Sequence, residues 1–195
     1  KYRINASFDI KLLGTISEAK SINDARVNYL NSTQGVYESD ILLNKNIHES
    51  GTPLTAASLI LSYHKGGWFV DLSGNYYDRI YLSPSLYYRY KSIGEKRGNI
   101  DENGNVKRIP QEQGNGGFML SGSIGKNIYL KHGSLSINLM VDNILNNKNL
   151  VTGGYEQSRS DFTASGNARA YKFSHNPKKY YAYGANGLLN ITYKF

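Results

Sequence analysis

From residue 2 to residue 12 the chain alternates without interruption. Tyr2, Ile4, Ala6, Phe8, Ile10 and Leu12 take the even positions, and Arg3, Asn5, Ser7, Asp9 and Lys11 the odd ones. A side-chain period of two marks a β-strand with one apolar face. The pattern returns at Ala57, Leu59, Leu61 and Tyr63, and again at Trp68, Val70, Leu72 and Tyr76. It recurs at Phe118, Leu120 and Ile124, at Leu135, Ile137, Leu139 and Val141, and at Leu189, Ile191, Tyr193 and Phe195. Six strands are predicted, roughly 2–14, 55–65, 68–81, 116–131, 134–147 and 178–195. Tight turns then set the registers, because a two-residue turn dictates which residues face each other. A turn at Gly66-Gly67 pairs Leu61 with Leu72, Tyr63 with Val70 and Ser62 with Asp71. A turn at His132-Gly133 pairs Leu130 with Leu135, Ile128 with Ile137 and Ile124 with Val141. Both hairpins come out apolar on one side and polar on the other.

The tight turns alternate strictly with long connections at 15–53, 82–115 and 148–177. Structureless loops of that length are uncommon in a compact soluble domain. Short periplasmic turns alternating with long extracellular loops are the habit of an outer-membrane barrel. The expected class is therefore all-β, with antiparallel transmembrane β-barrel strands whose apolar face meets lipid and whose Ser, Asn, Asp and Lys face lines a wet lumen. Six strands that start with Lys1 in the periplasm return there at Phe195. Trp68, Tyr63, Tyr193 and Phe195 fall at one interface level, and Tyr76, Tyr77, Tyr181 and Tyr183 near the other. Lys126 falls on the lipid face, where it must snorkel to the interface or be turned by a bulge near Gly125. A soluble sandwich or lipocalin-like barrel alternates too, but around a core on one side and rarely with loops this long.

Composition agrees with β-structure. There are 17 Tyr and 20 Gly, few charged residues (19%), and a mean hydropathy of -0.50. The absence of Cys excludes a disulfide scaffold, thiol catalysis and Cys-ligated zinc. No apolar run approaches the about 18 residues of a membrane helix, which leaves strands as the means of crossing. The net charge of +8 is spread along the chain, so no nucleic-acid partner is expected. The opening Lys1-Tyr-Arg-Ile-Asn-Ala6, without Met or signal core, is expected of a piece of something longer.

Six strands cannot close a barrel of useful diameter, and an open edge in lipid leaves backbone groups unpaired. The last third of the chain suggests where the remaining strands lie. Leu135-Ser-Ile-Asn-Leu139 leads into Asp142-Asn-Ile-Leu-Asn-Asn147, followed by Val151-Thr-Gly-Gly-Tyr-Glu-Gln157 and by Tyr180-Tyr-Ala-Tyr183 before Asn190-Ile-Thr-Tyr-Lys-Phe195. This run resembles the C-terminal strands of TonB-dependent outer-membrane receptors. Thr52-Pro-Leu-Thr-Ala-Ala-Ser-Leu59, Trp68-Phe-Val-Asp71 and Gly74-Asn-Tyr-Tyr-Asp-Arg-Ile-Tyr81 look like the preceding strands of that family. The resemblance covers most of residues 52–195 and is weak before them. It implies that residues 1–195 are the last six strands of a barrel of about 22, plugged by a domain outside this chain. It also implies that Leu189, Ile191, Tyr193 and Phe195 form the terminal signal read by the barrel-insertion machinery, besides being the last strand's lipid face.

Two segments are candidates for facing a ligand. Tyr87, Tyr88, Arg89 and Tyr90, followed by Lys91, interleave aromatic and basic groups as a sugar or nucleic-acid platform does. Their rival reading is a barrel strand continuing above the membrane. Gly153-Gly-Tyr-Glu-Gln-Ser-Arg159 offers Tyr155 and Arg159. Ser62, His64 and Asp71 are the nearest approach to a hydrolytic set, but His64 sits opposite Phe69 at the turn end, so no catalysis is expected. His48, His64, His132 and His175 are scattered without metal-ligand spacing, and neither metal nor cofactor is expected. Asp101-Glu-Asn-Gly-Asn105 reads as a tight turn at Asn103-Gly104 rather than a calcium loop. Loop 82–115 carries Arg89, Lys91, Lys96, Arg97, Lys107 and Arg108 against Glu95, Asp101, Glu102 and Glu112, a surplus that suits lipopolysaccharide phosphates or an anionic ligand.

The function that follows from the resemblance is import of a scarce nutrient, such as a metal chelate, glycan or peptide, across the outer membrane of a Gram-negative bacterium. The expected partners are outer-membrane lipid and lipopolysaccharide, the insertion machinery, TonB through the plug region, and a surface lipoprotein capping the barrel. The alternative is an independent small outer-membrane barrel with an adhesive or structural role.

Overall fold

The computed structural model describes residues 1–157 and 177–195, together with the backbone of Asp161–Phe162 and Ala168–Arg169. In chain order the strands are β1 (Tyr2–Arg3), β2 (Phe8–Ile16), β3 (Ala25–Asn31), β4 (Val36–Leu42), β5 (Thr55–Lys65), β6 (Trp68–Asp78), β7 (Ile80–Tyr81), β8 (Gln113–Gly114), β9 (Gly117–Leu130), β10 (Gly133–Asp142), β11 (Val151–Tyr155), β12 (Asp161–Phe162), β13 (Ala168–Arg169), β14 (Lys178–Tyr181) and β15 (Asn186–Lys194). A 3-10 turn at Tyr87–Arg89 and one short helix, α1 (Lys91–Lys96), are the helical elements among the described residues. Every strand pairing among the described residues is antiparallel.

The six long strands join consecutively in one sheet of order β1-β2-β5-β6-β9-β10-β15. Its two ends do not meet, so among the described residues it is an open sheet and not a closed barrel. Register aligns like with like. Phe8, Tyr63, Val70, Ile124, Leu139 and Leu189 form one continuous apolar row across six strands. The neighbouring row on the opposite face reads Asp9, Ser62, Asp71 and Ser123 before reaching Met140 and Leu188. Among the described residues no second layer covers the apolar face: Phe8, Leu61, Leu72, Ile124, Leu139, Leu189 and Ile191 are all exposed. The total accessible surface is 13068 Å², against about 9,300 Å² for a compact monomer of this mass.

Several expectations are corrected. Residues 2–14 are not one strand, because the chain folds back so that Tyr2 pairs with Ile10 and Arg3 with Asp9. Asn5 Oδ1 accepts the Ser7 and Phe8 N–H groups in the turn, and Asp9 takes Lys1 Nζ at 3.0 Å and Arg3 Nε at 3.3 Å. Alternation hides this turn because an antiparallel fold-back pairs even with even positions. The Gly66-Gly67 hairpin has the predicted register, whereas the second hairpin is displaced by two residues. Its turn is Lys131-His132, so Leu135 meets Ile128, Ile137 meets Lys126 and Leu139 meets Ile124. A slip of two preserves faces, and the apolar and polar sides stay separate. No bulge occurs at Gly125, whose neighbours pair in unbroken register.

The strands also end sooner than predicted on the side of the long connections. β6 stops at Asp78 because Arg79 adopts a left-handed φ of 53°, and β10 stops at Asp142 because Asn143 takes φ 50° and Asn146 φ 52°. The segment 178–195 is broken between β14 and β15. The Asp142-Asn-Ile-Leu-Asn-Asn147 run is a turn that ties three strands together. Asn143 is buried. Its Nδ2 donates to the carbonyls of Asn147 at 2.9 Å and Tyr183 at 2.7 Å, and its Oδ1 accepts Asn147 N–H at 2.9 Å. Asn147 Nδ2 reaches the Phe118 carbonyl, Ile144 N–H the Leu120 carbonyl, and Asn146 Oδ1 accepts Ala185 N–H.

The long connections carry structure of their own. β3 and β4 form a separate hairpin inside residues 15–53, where a loop was expected. β7 with β8, and β11 with β14, prolong the β6–β9 and β10–β15 hairpins beyond the sheet. β12 pairs with β13 in a separate two-stranded ladder.

Candidate ligand-facing loop layer

The buried apolar residues lie outside the long strands. Leu42, Leu54, Ile80, Leu82, Leu150 and Val151 gather in the connections at one end of the sheet, so the loops form a packed layer. At its centre Arg89 and Glu156 form an ion pair whose side chains are each 1% exposed. Both guanidinium terminal nitrogens engage the carboxylate, the second at 3.0 Å to Oε1. Arg89 also donates to the carbonyls of Ser85, Ile109 and Pro110, while Glu156 accepts N–H from Ser85 at 2.9 Å and Glu112 at 3.2 Å. Two connections are thereby locked together. A bridge between Ser83 and Tyr155 and an ion pair of 2.8 Å between Lys179 and Glu112 add to the same seam.

The predicted platform is thus divided by the fold. Tyr87–Arg89 is a 3-10 turn rather than an extended strand, with Tyr88 and Arg89 turned inward and Tyr87 exposed. Arg89 consequently presents no charge to a ligand: its guanidinium is spent on Glu156, a residue within the second candidate segment that had been given no role. Arg97 covers the platform's inner edge, 4.7 Å from the Tyr88 ring centroid. Tyr155 is exposed beside Tyr180, with ring centroids 6.3 Å apart. Arg159 and His175 lie outside the described residues.

Tyr87 and Tyr90 do line a cleft, together with Tyr29, Asp40, Ser92 and Ile93, enclosing about 230 Å³. Tyr29 and Asp40 of this lining come from the β3–β4 hairpin. No sequence signal pointed to that hairpin, because Val27, Tyr29 and Asn31 alternate with Arg26, Asn28 and Leu30 without separating polar from apolar. Tyr29 hydroxyl donates to Glu38 at 2.9 Å, and Asn31 Nδ2 donates to the same carboxylate at 2.8 Å. Asp40 accepts Ser92 N–H at 3.2 Å and the Ser92 hydroxyl, which ties the hairpin to α1. Three tyrosines and acceptor groups at their edges suit a ligand with flat apolar faces and hydroxyl or amide rims.

The basic surplus of loop 82–115 is smaller in space than in sequence. Arg89 is internally neutralised, Lys91 lies 3.7 Å from Glu95, and Arg108 forms a two-pronged pair with Asp24 at 2.7 and 2.6 Å. The Arg108 guanidinium holds the Asp24 carboxyl down to about 2 from its ordinary 3.8, helped by the Lys45 N–H and opposed by partial burial. A depressed carboxylate contributes stability fully above its unfolded value and loses it as pH falls through the folded one. Docking of residues 25–42 onto the 82–115 segment is therefore expected to hold from neutral pH to about pH 4 and to loosen between about pH 4 and 2. The effect is modest, since both side chains are partly solvated. Hydrogen exchange of residues 25–42 measured across that range checks this, with Arg108→Gln expected to remove this step.

The other candidates resolve simply. Ser62 hydroxyl donates to Asp71 Oδ1 at 2.5 Å, but no hydrogen bond joins His64 to either residue. His48 stacks on Tyr81 at 4.0 Å and meets Glu18 at 3.1 Å. Asp101 Oδ1 accepts the N–H groups of Asn103 and Asn105, closing the turn expected there. No group of three or more His, Asp or Glu residues able to hold a metal ion occurs among the described residues. Leu189, Ile191 and Tyr193 on β15 and Phe195 just after it are exposed, with the first three opposite Leu139, Ile137 and Leu135. Comparison of the chain with protein-family models, with curated proteins and with solved structures finds no match in any of the three.

Proposed function

We propose that this chain is the C-terminal part of a TonB-dependent receptor barrel that imports a scarce nutrient across the outer membrane of a Gram-negative bacterium. One observation carries the reading: a single sheet of long strands has an apolar face that nothing among the described residues covers. An apolar face this continuous needs an apolar neighbour, and bilayer hydrocarbon is the neighbour that a wall of tilted antiparallel strands fits. The free sheet edges then call for the remaining strands of a barrel of about 22. The packed loop layer becomes the extracellular cap, and the two tight turns face the periplasm. The barrel does no chemistry on this reading; it supplies wall, lumen lining and ligand-facing loops, while TonB acts through a plug. Asn143 and its neighbours explain why the family-like Asp-Asn-Ile-Leu-Asn-Asn run belongs at the top of the last strand pair.

The chain contains no Cys, so a cysteine introduced into it is the only one it carries. Spin labels at Ile124→Cys, Leu139→Cys and Leu189→Cys in the intact protein in native membranes are expected to be relaxed by oxygen dissolved in lipid. Labels at Ser73→Cys and Ser123→Cys are expected to be relaxed by a water-soluble nickel chelate. Equal exposure of both sets to the nickel chelate would overturn the membrane reading. Uptake that persists without TonB would overturn the receptor reading alone.

A further inference from the structure

On the apolar face, the row that closes the β5–β6 hairpin differs from the rows behind it. Across the register it reads Lys65 on β5, Trp68 on β6, Lys126 on β9, then Ile137 and Ile191. Two lysines therefore flank one tryptophan on a face that is otherwise apolar. Lys126 Nζ lies 4.6 Å from the Trp68 ring centroid. Neither lysine makes an ion pair among the described residues. Lys131 lies exposed in the neighbouring tight turn.

We propose that Lys65, Trp68 and Lys126 form a binding site for the phosphate of an anionic phospholipid in the leaflet facing the tight turns. The proposal rests on the membrane reading above. A lysine on a lipid-facing strand costs little only near the interface, where its ammonium can reach the headgroups. Strands lie about 4.8 Å apart, so Lys65 and Lys126, two strands apart, have backbones about 10 Å apart. Side chains of lysine length span that gap from both sides and converge over the indole on one phosphate. Trp68 suits the same level, since an indole seats in the interface with its ring in the apolar zone. The charge argues for an anionic lipid. Phosphatidylethanolamine brings its own ammonium, which two lysines without a carboxylate repel, whereas phosphatidylglycerol carries an uncompensated negative charge.

The test is native mass spectrometry of the intact detergent-purified protein titrated with phosphatidylglycerol, phosphatidylethanolamine or phosphatidylcholine. Wild type is expected to retain phosphatidylglycerol roughly tenfold more tightly than phosphatidylcholine, and K65Q/K126Q to lose that preference while keeping the heat-modifiable mobility of a folded barrel. W68L is expected to weaken retention without abolishing the preference. Displacement of phosphatidylglycerol by millimolar inorganic phosphate would replace the lipid site with a free-phosphate site. An unchanged preference in K65Q/K126Q would overturn the proposal while leaving the membrane reading intact if the spin labels still report lipid; labels reporting water would remove both.

Discussion

Replacing Arg89 by methionine while Glu156 stays in place is expected to destabilise the loop layer by about 3–5 kcal/mol, the usual result of stripping one partner from a buried ion pair. The carboxylate of Glu156 would keep the Ser85 and Glu112 N–H groups but lose the only guanidinium joined to it among the described residues. Ser85, Ile109 and Pro110 would each lose a donor to their carbonyls. The damage should stay local, because the long strands take no part in these contacts. Hydrogen exchange is expected to rise sharply in residues 82–115 and 150–157 and to stay unchanged in β5, β6, β9 and β10. Replacing both partners, as Arg89→Met with Glu156→Leu, is expected to restore much of the loss, since an apolar pair needs no desolvated charge. A single variant as protected as wild type would show that the packed leucines and valine around the pair hold the layer without it.

Asn143→Ala is expected to cost about 3 kcal/mol, combining three lost side-chain hydrogen bonds at a buried site with a left-handed backbone that a Cβ-bearing residue without a polar side chain resists. Asn143→Gly separates the two contributions. It loses the same bonds but accepts φ 50°, and should recover about 1 kcal/mol of the deficit. Urea unfolding followed by electrophoretic mobility of the intact protein gives both numbers. Equal stability of the alanine and glycine variants would mean that the backbone conformation carries no strain there.

Alternation made the sheet legible because in an antiparallel sheet with one apolar side the choice of face is written in each residue itself. Leu61, Tyr63, Val70, Leu72, Ile124, Leu139 and Leu189 announced both their strands and their common face. The turn at Gly66-Gly67 was legible for the same reason, with glycine at φ 59° and 82° where other residues would be strained. The second turn was misplaced by one residue, and its pairing therefore by two, because Gly133 looked like a turn residue, whereas it sits inside β10 and Lys131-His132 turns the chain. Periodicity cannot detect a slip of two, which leaves every face unchanged. The fold-back at Asn5 escaped notice for a related reason.

The loop layer obeyed different rules. The β3–β4 hairpin gains its place from Asp40 on Ser92, from Asp24 on Arg108 and from Leu43 N–H on the Arg89 carbonyl, contacts between residues far apart in the chain. A two-stranded hairpin is marginal alone, so its own residues need not show a strand pattern. Arg89 looked like a ligand-facing cation because a lone sequence shows its charge and not its partner. Glu156, distant in sequence, turned it inward. What the sequence by itself determined was therefore the sheet: the number, order and faces of the long strands, because each depends on local alternation. What the tertiary structure alone decided was the loop layer, meaning which charges cancel, which tyrosines remain exposed and which segments share a cleft, because each of these depends on pairings between distant segments.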